Sequence, residues 1–415
     1  MIELLCDRFD VSGHVREAAQ AAYARVESAT YPAQGAVKAA VLAAFLDEGI
    51  AESDLAGSSG YGYDDAARER YESLIARIFG TQRALARLSI VSGTHAIVAS
   101  LAACVAPGER LIAVAGRPYD TLRNAICTAP DCLVSTGIRY EEVDLRDDGP
   151  DLDAIEAAVR QADARAVFVQ RSRGYAPRRS LNVDDCARIV DAVKRAAPHV
   201  DVLVDNCYGE LVEVREPTHA GADLVMGSLI KNLGGSLAPA GVYVAGRADL
   251  VAKVATRLFA PGLGSALGPT LGLGRAFIQG LFLAPLIVEQ TLRGLDFTAA
   301  LFEELGFRVD PAPCAPRTDI VQAIRLGDAE KLLRFARGLQ RAMPLNARFT
   351  PEPGPVPGYV DPVVMSSGAF VGGATIELSC DAPLREPFEV YVQGGIVTEH
   401  ALVGALFAAQ AVLGA

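Results

Sequence analysis

The chain has 415 residues, 51% of them apolar, no tryptophan, and a formal charge of −11. No run of lysine and arginine is long enough to grip a phosphate backbone, which argues against a nucleic-acid partner. The length exceeds what one hydrophobic core usually serves, so two domains are expected.

The segment Met1–Asp10 carries acids where a signal peptide would place bases. The longest apolar runs, such as Ala96–Pro107 and Leu281–Val288, fall short of the ~20 residues that span a bilayer. A cytoplasmic protein without a membrane segment is expected. Eight cysteines are scattered without CxxC pairs, and none of the five histidines joins them at ligand spacing. Reduced, mostly buried thiols and no metal site follow.

Residues 14–50 read as two helices, the first with Val15, Ala18, Ala22 and Val26 on one face, the second apolar over Ala36–Leu46. The stretch Gly57-Ser-Ser-Gly-Tyr-Gly-Tyr-Asp-Asp65 is too rich in glycine and serine for regular structure. A helix with Leu74, Ile75, Ile78 and Phe79 on its apolar face then ends at Gly80. Strand-like runs at Leu111–Val114, Val167–Gln170, Val202–Asp205 and Leu224–Met226 alternate with helical stretches at 95–105, 120–127, 151–162 and 183–196. That alternation predicts a mostly parallel sheet with helices on both faces.

Met226 is followed by an apparent turn, Gly227-Ser228, then Lys231. Gly241–Gly246 follows too closely for a crossover helix and reads as an antiparallel neighbour. Beyond a glycine-rich loop at Pro261–Gly268, Leu271–Leu292 is a long apolar helix bearing Pro285. Residues 295–415 read as a smaller α+β region closing with a helix at 398–413. The expected division is a helical arm over 1–56, a large α/β domain over 57–270, and a linking helix with a small domain over 271–415.

Four features fall at the C-terminal ends of predicted strands, where open α/β sheets bind ligands. Val91-Ser-Gly-Thr-His-Ala-Ile97 enters a helix: Gly93 permits close backbone approach, and free N–H groups at a helix start favour phosphate, although an ordinary capped loop reads the same way. Asp205 ends a buried strand and needs a cationic partner. Ser228 has a hydroxyl for a phosphate oxygen or for a helix cap. Tyr119, in Gly116-Arg-Pro-Tyr-Asp-Thr121, could stack on a planar ring or pack beneath a loop. Lys231, just past a buried strand, is expected to lose its proton through desolvation, and a neutral lysine amine forms Schiff bases. Together these suit pyridoxal 5′-phosphate.

The chain resembles the fold-type I pyridoxal-phosphate enzymes of cysteine and methionine metabolism, and within them the methionine γ-lyase-like branch known as aluminium resistance proteins. The likeness lies in Ser59-Gly-Tyr-Gly-Tyr-Asp-Asp65, Val91–Ile97, Gln170-Arg-Ser-Arg-Gly-Tyr175, Val204-Asp-Asn-Cys-Tyr-Gly-Glu210, Gly221–Gly235, Phe277–Pro285, Arg385-Glu-Pro-Phe388 and Val392–Gly395. It implies a fold-type I transferase-like architecture with Lys231 as the Schiff-base lysine and Asp205 on the pyridine nitrogen. Gly93, Thr94 and Ser228 would hold the phosphate, and Tyr119 would stack on the ring. Tyr61 or Tyr63 would close the phosphate site of a neighbouring subunit in a homodimer or homotetramer. Arg171 or Arg173 would stand near the ring oxygen.

The implied reaction is α,γ- or α,β-elimination from a sulfur-containing or halogenated amino acid, with Lys231 as base and Tyr119 as a candidate acid. An aminotransferase, a γ-replacement enzyme and a catalytically idle binding protein are the alternatives. Two departures stand out. Where the wider group has Arg-Leu-Ser, this chain has Glu377-Leu-Ser379, leaving Arg173 and Arg385 as candidates for the substrate carboxylate. A tryptophan expected after Arg-Gly-Tyr is replaced by Ala176-Pro-Arg-Arg179.

Overall fold

A computed structural model describes residues 1–11 and 13–414. Three helices, α1 (Ile2–Arg8), α2 (Gly13–Val26) and α3 (Pro32–Glu48), open the chain. On α2, Val15, Ala18, Ala22 and Val26 are buried, as their spacing predicts. Pro32 starts α3 and Gly49, at φ +60°, ends it. Then come α4 (Ala66–Ile78), β1 (Arg83–Arg87), α5 (Gly93–Cys104), β2 (Arg110–Ala113), α6 (Asp120–Arg123) and β3 (Arg139–Glu142). A ribbon, β4 (Leu145–Arg146) with β5 (Gly149–Pro150), leads into α7 (Leu152–Val159), β6 (Ala164–Gln170), α8 (Val183–Ala196), β7 (Asp201–Asp205), β8 (Leu224–Ser228), β9 (Val242–Gly246) and α9 (Ala248–Leu258).

The main sheet has the order β1-β9-β8-β7-β6-β2-β3. Strands β3, β2, β6, β7 and β8 run parallel; β9 and β1 are antiparallel to their neighbours. The centre is dry: every residue of β7, β8 and β9 is buried, as sheets covered on both faces require. Side chains such as Leu203 and Val204 have no exposure, and truncating the leucine would cost about 2–5 kcal/mol. Register aligns Gln170 with Asp205 and Asp205 with Met226, so the C-terminal ends of β6, β7 and β8 form one edge.

Strand β8 runs through Gly227 and Ser228, where a turn was expected. These residues pair with Tyr243 and Val242 of β9. A Cβ on Gly227 would lie 2.6 Å from the Tyr243 ring, so the bare backbone lets the two strands stay paired.

The long helix α10 (Gly274–Glu304) contains Pro285 and extends a full twelve residues past the expected end at Leu292. It passes directly behind the lysine turn, backbone against backbone. A Cβ on Gly235 would lie 2.3 Å from the Gly280 carbonyl oxygen, and one on Gly280 would lie 2.3 Å from that of Gly234. The C-terminal region adds β10 (Arg308–Asp310), β11 (Val321–Arg325), α11 (Ala329–Gln340), β12 (Val363–Ser367), β13 (Ser379–Pro383), β14 (Glu389–Gln393) and α12 (Thr398–Leu413). Its strands form an antiparallel sheet ordered β10-β11-β14-β13-β12. One hydrophobic core links α2, α10 and α12 through Val15, Phe297 and Leu406. No helix among the described residues is long and apolar enough to cross a membrane.

Candidate active site

Six of the residues singled out in the sequence meet around one cavity of about 380 Å³: Gly93, Thr94, Tyr119, Asp205, Ser228 and Lys231. The edge formed by β6, β7 and β8 supplies its floor. Helix α5 points its first turn at it, and the Ser92 hydroxyl caps that helix by accepting from the His95 N–H at 3.1 Å. The backbone N–H groups of Gly93 and Thr94, in that first turn, have no acceptor within the helix and lie beside an end of positive dipole.

Thr94 and Tyr119 share a hydroxyl–hydroxyl hydrogen bond of 2.7 Å. The Tyr119 backbone N–H donates to Gln170 Oε1 at 2.9 Å, which fixes the loop after β2 to the end of β6. Burial, followed by the charge of Asp205, pushes the Tyr119 hydroxyl well above its ordinary range. Ser228 lies at the end of β8 and caps no helix; its hydroxyl bonds to no described residue.

Asp205 is 4% exposed. Its carboxylate accepts from the Cys207 N–H at 3.1 Å, and no lysine or arginine among the described residues comes within ion-pair distance. Burial pushes its pKa up, while the charge of Lys231 and the Cys207 N–H oppose the rise. Such a group lacks the cation that would make its burial favourable.

Lys231 opens a short 3-10 turn over Asn232–Gly234. It is half-buried, and its Nζ lies 3.6 Å from the centroid of the Tyr208 ring. The expectation of a lysine poised to lose its proton is corrected here. Burial does pull its pKa down, but Cys207, Tyr208 and Asp205 together push it above the ordinary value. In the chain alone the ammonium form is the stable one.

The cavity fits a phosphorylated, planar, cationic group. Asp205 awaits a positive partner, Tyr119 offers a ring face, and the start of α5 with Ser228 offers uncommitted donors. A Cβ placed on Gly93 would stand between Cys207 Sγ at 3.6 Å and Ser228 Cβ at 3.7 Å, ordinary contacts that the fold itself does not forbid. The glycine thus keeps open a space that the protein leaves unfilled.

Other expected residues lie elsewhere. Arg171 has no exposure and turns away from the cavity. It donates to the carbonyls of Leu181 at 3.2 Å and Gly209 at 3.0 Å and to Asn206 Oδ1 at 2.7 Å, and it pairs with Glu213 and Glu216. It is a structural clasp and does not line the cavity.

Arg173 and Arg385 line an adjoining outer chamber of about 450 Å³, behind a wall of Tyr119, Tyr175 and Tyr359 shared with the inner cavity. Arg173 pairs with Asp310; Arg385 pairs with Asp120 at 3.1 Å and Asp361 at 3.5 Å. Tyr61 and Tyr63 are 74% and 60% exposed and do not line the cavity of their own chain. Asp65 holds their loop. It caps α4 through the Arg68 N–H at 3.0 Å and accepts from the N–H groups of Ser58 at 3.0 Å and Thr270 at 2.8 Å.

Glu377, where an arginine was expected, is buried and accepts from the N–H groups of Phe370 at 2.7 Å and Val371 at 3.1 Å. It pins the loop that brings Gly372 to the cavity. Arg178, in the stretch that lacks the tryptophan, donates to the carbonyls of Gln170 at 3.1 Å and Ser172 at 2.7 Å, and burial lowers its pKa to about 10.

A larger crevice of about 660 Å³ lies between the start of α3 and residues 310–319. Its charges are matched locally, Arg173 to Asp310 and Arg317 to Asp296, whereas Asp205 and Lys231 of the smaller cavity have no such match among the described residues.

Sequence reasoning missed Tyr175, Tyr208 and Tyr359, which line the inner cavity. It also missed Asp381, a buried carboxylate held by the Tyr175 hydroxyl at 2.6 Å and by Gln393 Nε2 at 2.8 Å. Tyr175 and Tyr208 sit inside motifs that were noted; Tyr359 follows Pro357-Gly358, a turn signal with nothing chemical in it.

A family model described as methionine gamma-lyase matches residues 13–413. The uncharacterized protein YnbB of Bacillus subtilis (strain 168) is 42% identical over 365 residues, 87% of this chain and 86% of that one. A structure from Clostridium acetobutylicum, provisionally described as a cystathionine beta-lyase involved in aluminum resistance, superposes with a TM-score of 0.94 at 38% identity, covering 99% of this chain and 98% of that one. A carbon-sulfur lyase involved in aluminum resistance from Clostridium novyi NT gives 0.92 at 39% identity, covering 98% of each chain.

Proposed function

The chain belongs to the methionine gamma-lyase family, and we propose that Lys231 is the base of an α,γ- or α,β-elimination from an amino acid bearing sulfur or a halide. The protein is a fold-type I, pyridoxal-phosphate-dependent enzyme of carbon–sulfur-lyase-like type. The cofactor, when bound, withdraws the electron pair left at the substrate's Cα.

Asp205 holds a protonated ring nitrogen, the cation its buried carboxylate lacks. Gly93 and Thr94 give their N–H groups, and Ser228 its hydroxyl, to the phosphate. Tyr119 lays its ring against the cofactor while Thr94 and Gln170 fix its position. Lys231 takes the Cα proton as general base. The Tyr119 hydroxyl, kept protonated by burial, stands as proton donor to the leaving group. Arg173 and Arg385, paired with Asp310 and Asp120 across the shared tyrosine wall, are the arginines that would exchange those partners for the substrate's carboxylate. Tyr61 and Tyr63, exposed on their own chain, complete the phosphate site of a second copy in a homodimer or homotetramer.

The observation that carries this reading is the pairing within one cavity of a buried, cation-free carboxylate with a lysine that has no carboxylate within ion-pair reach. Purified protein should show a visible absorption band that Lys231→Ala abolishes along with turnover. A variant that keeps both would sink the assignment. A panel of sulfur-containing and halogenated amino acids, scored for 2-oxo acid and ammonia, then identifies the leaving group and the carbon from which it departs.

A further inference from the structure

We propose that the ring face of Tyr208 is the seat on which Lys231 keeps the proton it removes from substrate, so that this proton stays in the site and is not given up to water. The inference rests on the reading of Lys231 as base. Proton removal breaks the Cα–H bond, leaves its electron pair on the substrate side and forms an N–H bond on Nζ. The neutral amine thereby becomes an ammonium inside a half-closed cavity. An ammonium there needs a counter-group, and no carboxylate among the described residues stands within ion-pair distance. The Tyr208 ring does stand close, its centroid 3.6 Å from Nζ, and a ring face attracts such a cation.

The tyrosine is placed for this at a cost. Its φ is +74°, a left-handed conformation that bulky residues rarely adopt without surrounding constraint. The constraint comes from two directions. The Tyr208 carbonyl accepts from Asn232 Nδ2 at 3.1 Å, next in sequence to the lysine, and from the Ile320 N–H at 3.1 Å, at the entry to β11. Its ring packs on Val321, Ala323 and Tyr391 of the small sheet. The lysine turn and the small sheet therefore hold Tyr208 in place beside the lysine.

The titratable groups that surround Lys231 are few. Asp205, Cys207, Tyr208 and Glu210 reach it from the end of β7 and the following turn, Tyr119 from the loop after β2, and Asp381 from β13. Glu210 is held largely neutral near pH 7, since burial raises it to about 8. Asp381 is already taken by Tyr175 and Gln393. Cys207 is kept as a neutral thiol, since burial raises it well above its ordinary value, and Asp205 would be claimed by the ring nitrogen once the cofactor binds, which leaves Tyr208 as the partner that persists.

The test uses full-length protein stripped of cofactor. The rate at which acetic anhydride labels Lys231, followed by peptide mass spectrometry across the alkaline range, reports the lysine's own titration. Tyr208→Phe keeps the ring but loses the hydroxyl, which also favours the ammonium, and should stay closer to the parent midpoint than a variant without the ring. Tyr208→Leu removes the ring and should move the midpoint down by about one pH unit, tenfold in proton affinity. Tyr208→Asn should do the same, and its side chain tolerates the left-handed backbone, which covers the case of a leucine variant that fails to fold. Midpoints unchanged in the leucine or asparagine variant overturn the proposal. A holoenzyme whose visible band survives Lys231→Ala would instead overturn the reading of the lysine itself.

Discussion

Arg171 and Asp205 are neighbours with opposite circumstances. The Arg171 N–H donates to the Asp205 carbonyl at 3.1 Å across adjacent strand ends, and both side chains are removed from solvent. The arginine is answered on all sides, by two backbone carbonyls, an asparagine and two glutamates. The aspartate has one N–H and no cation. A buried charge whose partners are all supplied by the fold belongs to the architecture; one left short of a partner marks where something else must enter. Lys231, with a ring face and no carboxylate at hand, stands on the aspartate's side of that line.

Four substitutions break or sharpen the contrast. Lys231→Ala should cut turnover by about three orders of magnitude or more with folding intact, measured by steady-state kinetics beside circular dichroism. Arg171→Ala should leave Glu213 and Glu216 without their cation and cost about 3–5 kcal/mol in urea unfolding. Asp205→Asn should weaken cofactor binding by about a hundredfold, yet leave the cofactor-free protein as stable as before or more so by about 1 kcal/mol, because it removes an uncompensated buried charge. If Asp205→Asn destabilised the stripped protein as severely as Arg171→Ala, the distinction between the two would fall.

Asp65→Asn should have the smallest effect, about 1–2 kcal/mol, through loss of a charged cap and loop anchor. Its pH dependence has a definite sign. Burial works to raise the Asp65 pKa, but the Ser58, Arg68 and Thr270 hydrogen bonds outweigh it and bring it to about 2 from an ordinary 3.8. A depressed carboxyl pKa stabilises the folded state fully above the ordinary value, and that contribution fades as pH falls toward the depressed one. Thermal melts of parent and variant should therefore converge in that acid window.

The elements that could be read in advance are those whose apolar runs have no other use. Strands β6, β7 and β8 announce themselves because both their faces are buried, and the short link to β9 betrays its antiparallel direction. Strand β1 is Arg-Ala-Leu-Ala-Arg, and its buried Arg87 finds its match in Glu72 on α4, a tertiary fact with no local trace. Strand β3, at the sheet edge, is Arg-Tyr-Glu-Glu, with Arg139 exposed and its half-buried glutamates paired with Arg110 and Arg123. In the site, Gly93, Thr94, Tyr119, Asp205, Ser228 and Lys231 were legible because strand ends converge. The division of labour between Arg171 and Arg173 was not, since it depends on Glu213, Glu216 and Asp310. Nor was Tyr208, because nothing local separates a packed tyrosine from one beneath an amine.

The Gly235–Gly280 contact constrains how this protein can change. Each residue faces a backbone oxygen 2.3 Å from where its Cβ would sit, so neither side can yield by rotating a side chain. Enlarging one residue cannot be offset by shrinking the other, since both are already the smallest available. A saturation library scored for soluble expression should find both positions closed, singly and in combination. The lysine turn and the helix behind it are then one heritable part, which can be exchanged only together.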